Sequence, residues 1–209
     1  MNVAVIGTGN VGRALGRGWA SAGHDVTWGS RHPERINDLS PVVSLSDAIG
    51  NAPVIVLAVP FAGLTETVAA LGDLSGRVVV DATNPLGSQA AEGAASGAEY
   101  VATLAPGAQV VKGFNTMGYE TMADPAIEGR PAACLLCGND AGSKEIVTGL
   151  ARDLGFDPVD AGDLEAARHL EALAGVWVHL AFRAGLGRDF AFGVLRRGSG
   201  TSSINGVGG

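Results

Sequence analysis

The chain has 209 residues, of which 46% are hydrophobic and 17% charged, and its formal net charge is -7. That length suits one domain with a substantial core, alone or with a small appendage, and the acidic balance excludes general binding to nucleic acid or to an anionic membrane surface. No apolar run approaches the roughly 20 residues a membrane-spanning helix needs, and Met1 leads straight into a predicted strand with no secretory leader, so a cytoplasmic α/β protein is expected.

The first predicted strand covers residues 3–6, a short β-branched apolar run typical of a buried parallel strand. Gly7, Gly9 and Gly12 follow it in G-x-G-x-x-G spacing, where the strand gives way to a helix. In that context the glycines read as a dinucleotide loop: the first for the tight turn, the second for close approach of a pyrophosphate, the third for helix–strand packing. The helix end adds free N–H groups and a positive dipole. Helical spacing of Ala14, Leu15, Gly18, Trp19 and Ala22 predicts a helix over 10–22, stopped by Gly23. His24 and Asp25 form a turn, with His24 read as a solvated histidine.

The second strand, residues 26–29, ends without the Asp or Glu that would hold a ribose 2′-hydroxyl. Ser30, Arg31 and Arg35 stand there instead, and arginine suits bidentate phosphate binding. NADP is therefore expected over NAD. Pro33 starts a short predicted helix to about residue 39, and a helical turn follows at 46–49. Residues 53–60 form a strand buried on both faces, ending at Val59 and Pro60. A helix is predicted over 64–71 and a strand over 77–81, which empties into a polar loop with Asn84. Asn84 is placed either to hydrogen-bond the cofactor or to cap that turn. Residues 89–97 read as a weak helix or loop. Strands are predicted at 109–114, 131–137 and 156–160, and a helix at 143–154. The first of these strands ends at Asn115, Thr116 and Met117.

Cys134 and Cys137 are spaced C-x-x-C, but on a strand residues three apart point to opposite faces, which argues against a redox pair. No second cysteine pair or nearby histidine completes a zinc set, so no metal site is expected. From Asp163 the pattern turns helical to about Arg188, with a broad apolar face that suits a lid, a dimer contact or plain core packing. His169 and His179 lie on it without an acidic partner. Residues 198–209 read as a disordered tail. The fold class expected is α/β: a Rossmann doubly wound parallel sheet over residues 1–160, with a small helical C-terminal part over 161–197.

Taken in order, Gly7-Thr8-Gly9-Asn10-Val11-Gly12, Gly29-Ser30-Arg31, Ala58-Val59-Pro60, Phe114-Asn115-Thr116, Cys137-Gly138-Asn139-Asp140, Asp160-Ala161-Gly162 and Ala167-Arg168-His169-Leu170-Glu171 resemble the coenzyme F420-dependent NADP oxidoreductase family. The cytoplasmic reductase domain of the STEAP metalloreductases is similar too. The resemblance implies a homodimer that binds NADP and passes a hydride to a small-molecule acceptor, coenzyme F420 or a flavin. It places Thr8, Asn10 and Val11 at the pyrophosphate, Ser30, Arg31 and Arg35 at the 2′-phosphate, and Val59, Pro60, Leu64, Thr116 and Met117 near the nicotinamide. Archaeal members carry His-Thr where this chain has Asn115-Thr116, a position at which it looks more like the flavin-using metalloreductases. Direct hydride transfer needs alignment rather than a nucleophile, and no catalytic acid or base is named. The alternatives are an imine or carbonyl reductase using NADPH, and a non-catalytic NADP-sensing module.

Overall fold

In the computed structural model, which describes residues 1–86 and 93–195, the apolar runs become the inner strands of an eight-stranded sheet. Six of them, β1 (Asn2–Ile6), β2 (Asp25–Gly29), β3 (Val42–Val43), β4 (Val54–Leu57), β5 (Val78–Asp81) and β6 (Gln109–Lys112), are parallel in the order β3-β2-β1-β4-β5-β6. That is the doubly wound dinucleotide-binding order, with its switch point between β1 and β4. A separate hairpin joins β7 (Ala126–Ile127) to β8 (Arg130–Pro131).

The sheet is not parallel throughout. β9 (Ala133–Gly138) pairs antiparallel with β6, matching Val111 to Gly138, and β10 (Asp157–Asp160) runs parallel to β9. The 113–132 connection carries no crossover helix back along the sheet. The chain therefore re-enters from the edge where β6 leaves, as only an antiparallel neighbour can.

Side chains alternate across the sheet into two cores. Val3, Val5, Val54 and Val56 face one core, which α1 (Asn10–Ser21) covers with Leu15 and Trp19. Ala4, Ile6, Ile55 and Leu57 face the other, covered by α2 (Leu45–Ile49), α3 (Leu64–Leu71) and α4 (Gly97–Leu104). The short α5 (Tyr119–Ala123) and α6 (Ala141–Asp153) join α1 on the first face, and α7 (Ala167–Phe182) joins the second through Ala167 and Leu170. Trp19 ties α1 to α6 by donating its indole N–H to the Leu150 carbonyl at 3.0 Å.

Several expected boundaries move. The helix expected over 33–39 is a single 3-10 turn, Pro33–Arg35, because Ile36 turns extended as the chain heads back to pair β3 with β2. Ala22 is exposed and lies past the end of α1. α7 stops at Phe182 rather than near Arg188: Gly185 takes a φ of +77° and the Leu186 N–H bonds back to the Leu180 carbonyl. α4 is an element the sequence pattern did not separate. It begins at Gly97, with the Ser96 hydroxyl accepting from the Glu99 N–H, while residues 89–92 and the tail over 198–209 lie outside the described residues.

Candidate functional site

The cleft opens at the carboxyl ends of β1 and β4, where the two halves of the sheet diverge. Gly7 leaves β1 with φ +121°, and a Cβ there would stand 2.3 Å from the Ala58 carbonyl oxygen. A Cβ on Gly12 would stand 2.1 Å from the Gly7 carbonyl oxygen. At Gly9 it would meet nothing within 4 Å, so the loop surface there is open. Gly9 is also the N-cap of α1, and no side chain caps that helix. Its first N–H groups and positive dipole end therefore face the cleft free to receive an anion. These features fit a pyrophosphate without displacing any protein group.

Two cavities share this floor. The first, about 360 Å³, is lined by Gly7, Thr8, Gly9, Ser30, Arg31, His32, Arg35, Ala58, Val59 and Pro60. Arg31 and Arg35 are exposed at its rim. The Ser30 hydroxyl accepts from the His32 N–H at 3.1 Å, and among the described residues no carboxylate lines this cavity. The second, about 470 Å³, is lined by Gly9, Asn10, Val11, Val59, Pro60, Phe61, Ala82, Thr83, Asn84, Tyr119 and Arg188. The structure thus brings Gly7, Thr8, Gly9, Asn10, Val11, Ser30, Arg31, Arg35, Val59, Pro60 and Asn84 to one continuous cleft.

Four expected ligand residues are placed differently. Leu64 is fully buried in the second core as the first residue of α3 and lines neither cavity. Thr116 and Met117 are 2% and 8% exposed and line neither cavity. Asn115 is buried beneath Asn84: its side-chain N–H donates to Asn84 Oδ1 at 3.0 Å, and Asn84 returns a 2.8 Å bond to the Asn115 carbonyl. Asn115 Oδ1 has no partner among the described residues. The cause lies one residue back. Phe114 adopts φ +56°, costly for a non-glycine residue, and is held there by edge-on rings of Trp19 at 5.6 Å and Phe156 at 6.1 Å. This kink turns the chain after β6 back towards Asn84.

The floor of the second cavity rests on a buried charge cluster. Lys112 and Asp81 are wholly buried and Glu171 nearly so. The Lys112 ammonium donates to Asp81 Oδ2 at 2.8 Å and to the Thr83 carbonyl at 2.7 Å, and lies 2.8 Å from Glu171 Oε1. Burial alone would lower the lysine pKa, but the two carboxylates outweigh it and raise it. Glu171 also accepts from the Gly97 and Ala98 N–H groups at the start of α4, and Asp81 Oδ1 accepts from the Thr83 N–H and hydroxyl. One lysine thereby binds β5, β6, α7 and the 82–84 loop together. Residues 183–195 fold back as a strap. Arg188 meets Glu120 through Nε at 2.7 Å and Nη2 at 2.9 Å, and Trp177 donates to the Phe190 carbonyl.

The remaining candidates are structural. His24 is not a solvated turn residue: its side chain is 10% exposed and its Nε2 lies 2.9 Å from Asp153 Oδ2, because the α1–β2 turn packs on the end of α6. Cys134 and Cys137 are free and fall in opposite cores, and burial pushes both thiols up to about 12. No helix among the described residues is long and apolar enough to cross a membrane.

The strand order, glycine loop and uncapped helix end define a dinucleotide-binding α/β protein. Residues 2–85 match the family model described as NADP oxidoreductase, coenzyme F420-dependent. The metalloreductase STEAP3 of Rattus norvegicus is 34% identical over 177 residues, 82% of this chain and 36% of that protein, so the chain spans about a third of its length. An F420-dependent NADP reductase of Methanothermobacter thermautotrophicus is 29% identical, over 88% of this chain and 90% of that one. A crystal structure from Arthrobacter sp. FB24, assigned to the F420-dependent NADP reductases, superposes with a TM-score of 0.83 at 31% identity, over 94% of this chain and all of that one. The chain belongs to the coenzyme F420-dependent NADP oxidoreductase family.

Proposed function

We propose that the chain is an NADP-dependent oxidoreductase that exchanges a hydride between NADP(H) and a flavin or deazaflavin acceptor. The observation that carries this is the single cleft with two unlike ends. Among the described residues, one end presents the Ser30 hydroxyl and the Arg31 and Arg35 guanidiniums and no carboxylate. The other is lined by apolar, amide and aromatic groups, with Arg188 as its single guanidinium. Ser30, Arg31 and Arg35 bind the 2′-phosphate, and the α1 N-terminus with Thr8, Asn10 and Val11 binds the pyrophosphate. Val59, Pro60 and Asn84 hold the nicotinamide end. Leu64, Thr116 and Met117 act from behind, as the packing that sets the wall's position.

When bound, NADPH supplies a hydride, which with one solvent proton reduces the acceptor by two electrons and leaves NADP+. The protein's part is alignment and exclusion of water, worth up to ~7–11 kcal/mol when two rings are held at reacting distance. No histidine lines either cavity except His32 at the first cavity's rim. The exposed Val176, Phe182 and Leu186 on and after α7 fit a homodimer contact.

The test is stopped-flow mixing of the protein with NADPH and oxidised coenzyme F420, and separately with FMN. Rapid bleaching of either acceptor, with NADH at least tenfold poorer, is the expected result. Tight NADPH binding with no bleaching of either would leave a sensing role.

A further inference from the structure

Among the described residues, Arg188 is the one charged residue lining the second cavity, and its placement is too constrained for an ordinary surface arginine. Glu120 takes its Nε and one hydrogen of Nη2, while Nη1 has no hydrogen-bond partner among the described residues. Its guanidinium carbon lies 4.8 Å from the ring centre of Tyr119, 5.5 Å from Trp177 and 5.4 Å from Phe182. Glu120 reinforces its charge and raises its pKa. Three aromatic rings and a bidentate carboxylate hold one edge of the guanidinium fixed and leave another edge free.

The cavity also continues beyond this arginine. Asn10 and Tyr119 line both it and a neighbouring groove of about 470 Å³ between α1 and α5, which carries Arg13 and Arg17. Those two guanidiniums share one carboxylate, Asp38. Among the described residues along this path, three guanidiniums pair with two carboxylates, Glu120 and Asp38, in a chain whose net charge is -7. A flat apolar ring needs only the Val59, Pro60, Phe61 and Ala82 walls, so the excess of fixed positive charge calls for a ligand feature besides the ring.

We infer that Arg188 is a specificity-determining residue for the acceptor. It is the counter-ion of an anionic group, phosphate or carboxylate, carried by a planar aromatic acceptor, and the groove beside α1 takes the rest of that charged substituent. The inference rests on the oxidoreductase reading of the same cleft. A neutral acceptor with the same ring enters the cavity but lacks the charge-assisted bonds that fix it there.

The experiment compares riboflavin, FMN and coenzyme F420 on the full chain. Riboflavin and FMN share one ring and differ by a phosphate, while coenzyme F420 brings carboxylates as well. The native protein is expected to favour FMN over riboflavin at least tenfold in kcat/KM, and added salt should shrink that ratio. In Arg188→Met, which keeps most of the packing volume, the ratio falls to about threefold or less. Arg188→Lys, which keeps the charge, restores most of it. A wild-type ratio near one overturns the inference, and so does a ratio that survives in Arg188→Met. A tenfold loss of NADPH affinity in that variant also overturns it, by assigning the guanidinium to the dinucleotide. If no acceptor is reduced, the oxidoreductase reading fails separately. Fluorescence titration of the two flavins into the NADP+-loaded protein then reads the same ratio, and equal affinities, or no binding of either, overturn the inference. A loss confined to FMN assigns the anion to a phosphate monoester, and a loss shared by FMN and coenzyme F420 extends the same subsite to the anionic substituent of the deazaflavin.

Discussion

The two ends of the cleft are built in different ways. At the first, between β1, β2 and the start of α1, the parts are mainly backbone: a glycine at φ +121°, an uncapped helix end, and exposed side chains at the rim, where Glu34 lies 3.6 Å from Arg35 Nε. At the second, between β5, β6, α5, α7 and the strap, the parts are side chains locked to one another across the chain. Lys112 meets Asp81 and Glu171, Asn84 meets Asn115, and Arg188 meets Glu120. A backbone-built end tolerates change at its rim, whereas the buried floor of a network-built end fails at any member, because each buried charge there depends on the others.

The largest effect expected from that contrast is at Lys112. Lys112→Ala leaves Asp81 and Glu171 buried without their cation and should destabilise the fold by about 3–5 kcal/mol, the usual cost of removing one partner of a buried ion pair. Urea unfolding followed by circular dichroism reads it. A loss near zero would mean that water reaches the cluster and that the second end is not a network.

Arg31→Ala probes the backbone-built end. The arginine is exposed and its loss should leave stability nearly untouched. Binding is where it should register: NADPH affinity falls by roughly tenfold, about 1.4 kcal/mol, while NADH affinity changes little. Equal losses for both, measured by fluorescence titration, would remove the 2′-phosphate assignment. Unchanged binding of both would move it to Ser30 and Arg35.

The same contrast explains what could be read in advance. The glycine loop, the absent acid after β2 and the apolar strands are local signals, and each lands where its pattern puts it. The parallel β6-β5-β4-β1-β2 order follows from alternating strands and helices. The antiparallel β9 was not legible, because its run of small apolar residues reads the same in either direction. Glu171 carries no local signal, because its partners Lys112 and Gly97 stand 59 and 74 residues away. Tyr119 and Arg188 reach one cavity from positions 69 residues apart, with no periodicity to join them. Leu64 lies apart from both cavities for the opposite reason. It follows Pro60 closely in sequence, but the helical phase of α3 turns it into the core. A weak signal for the strap did exist, in the aromatic spacing of Trp177, Phe182, Phe190 and Phe192, which meet pairwise: Trp177 and Phe190 stack, and the Trp177–Phe182 and Phe190–Phe192 pairs are edge-on.

The smallest effect tests whether the strap behaves as part of the network or as a rim. The Arg188 hydrogen bonds hold the Glu120 carboxyl below its ordinary value of 4.5. A carboxyl whose pKa is depressed on folding contributes stability that is fully present above the unfolded value and is lost as pH falls through the folded one. The Glu120–Arg188 pair is therefore intact at neutral pH and should release only below about pH 4.5. Both side chains are about a third exposed, so solvent screening limits the contribution to a few tenths of a kcal/mol up to about 1. Release would free Arg188 from the rings of Tyr119 and Trp177 and let the indole N–H of Trp177 leave the Phe190 carbonyl. Tryptophan emission should accordingly shift to the red in a small acid step before global unfolding, and Glu120→Gln should abolish the step while emission at pH 7 moves partway to its acid value. A step that persists in Glu120→Gln would assign the strap's hold to aromatic packing alone, and the second end of the cleft would then be a network in its floor and a rim at its mouth.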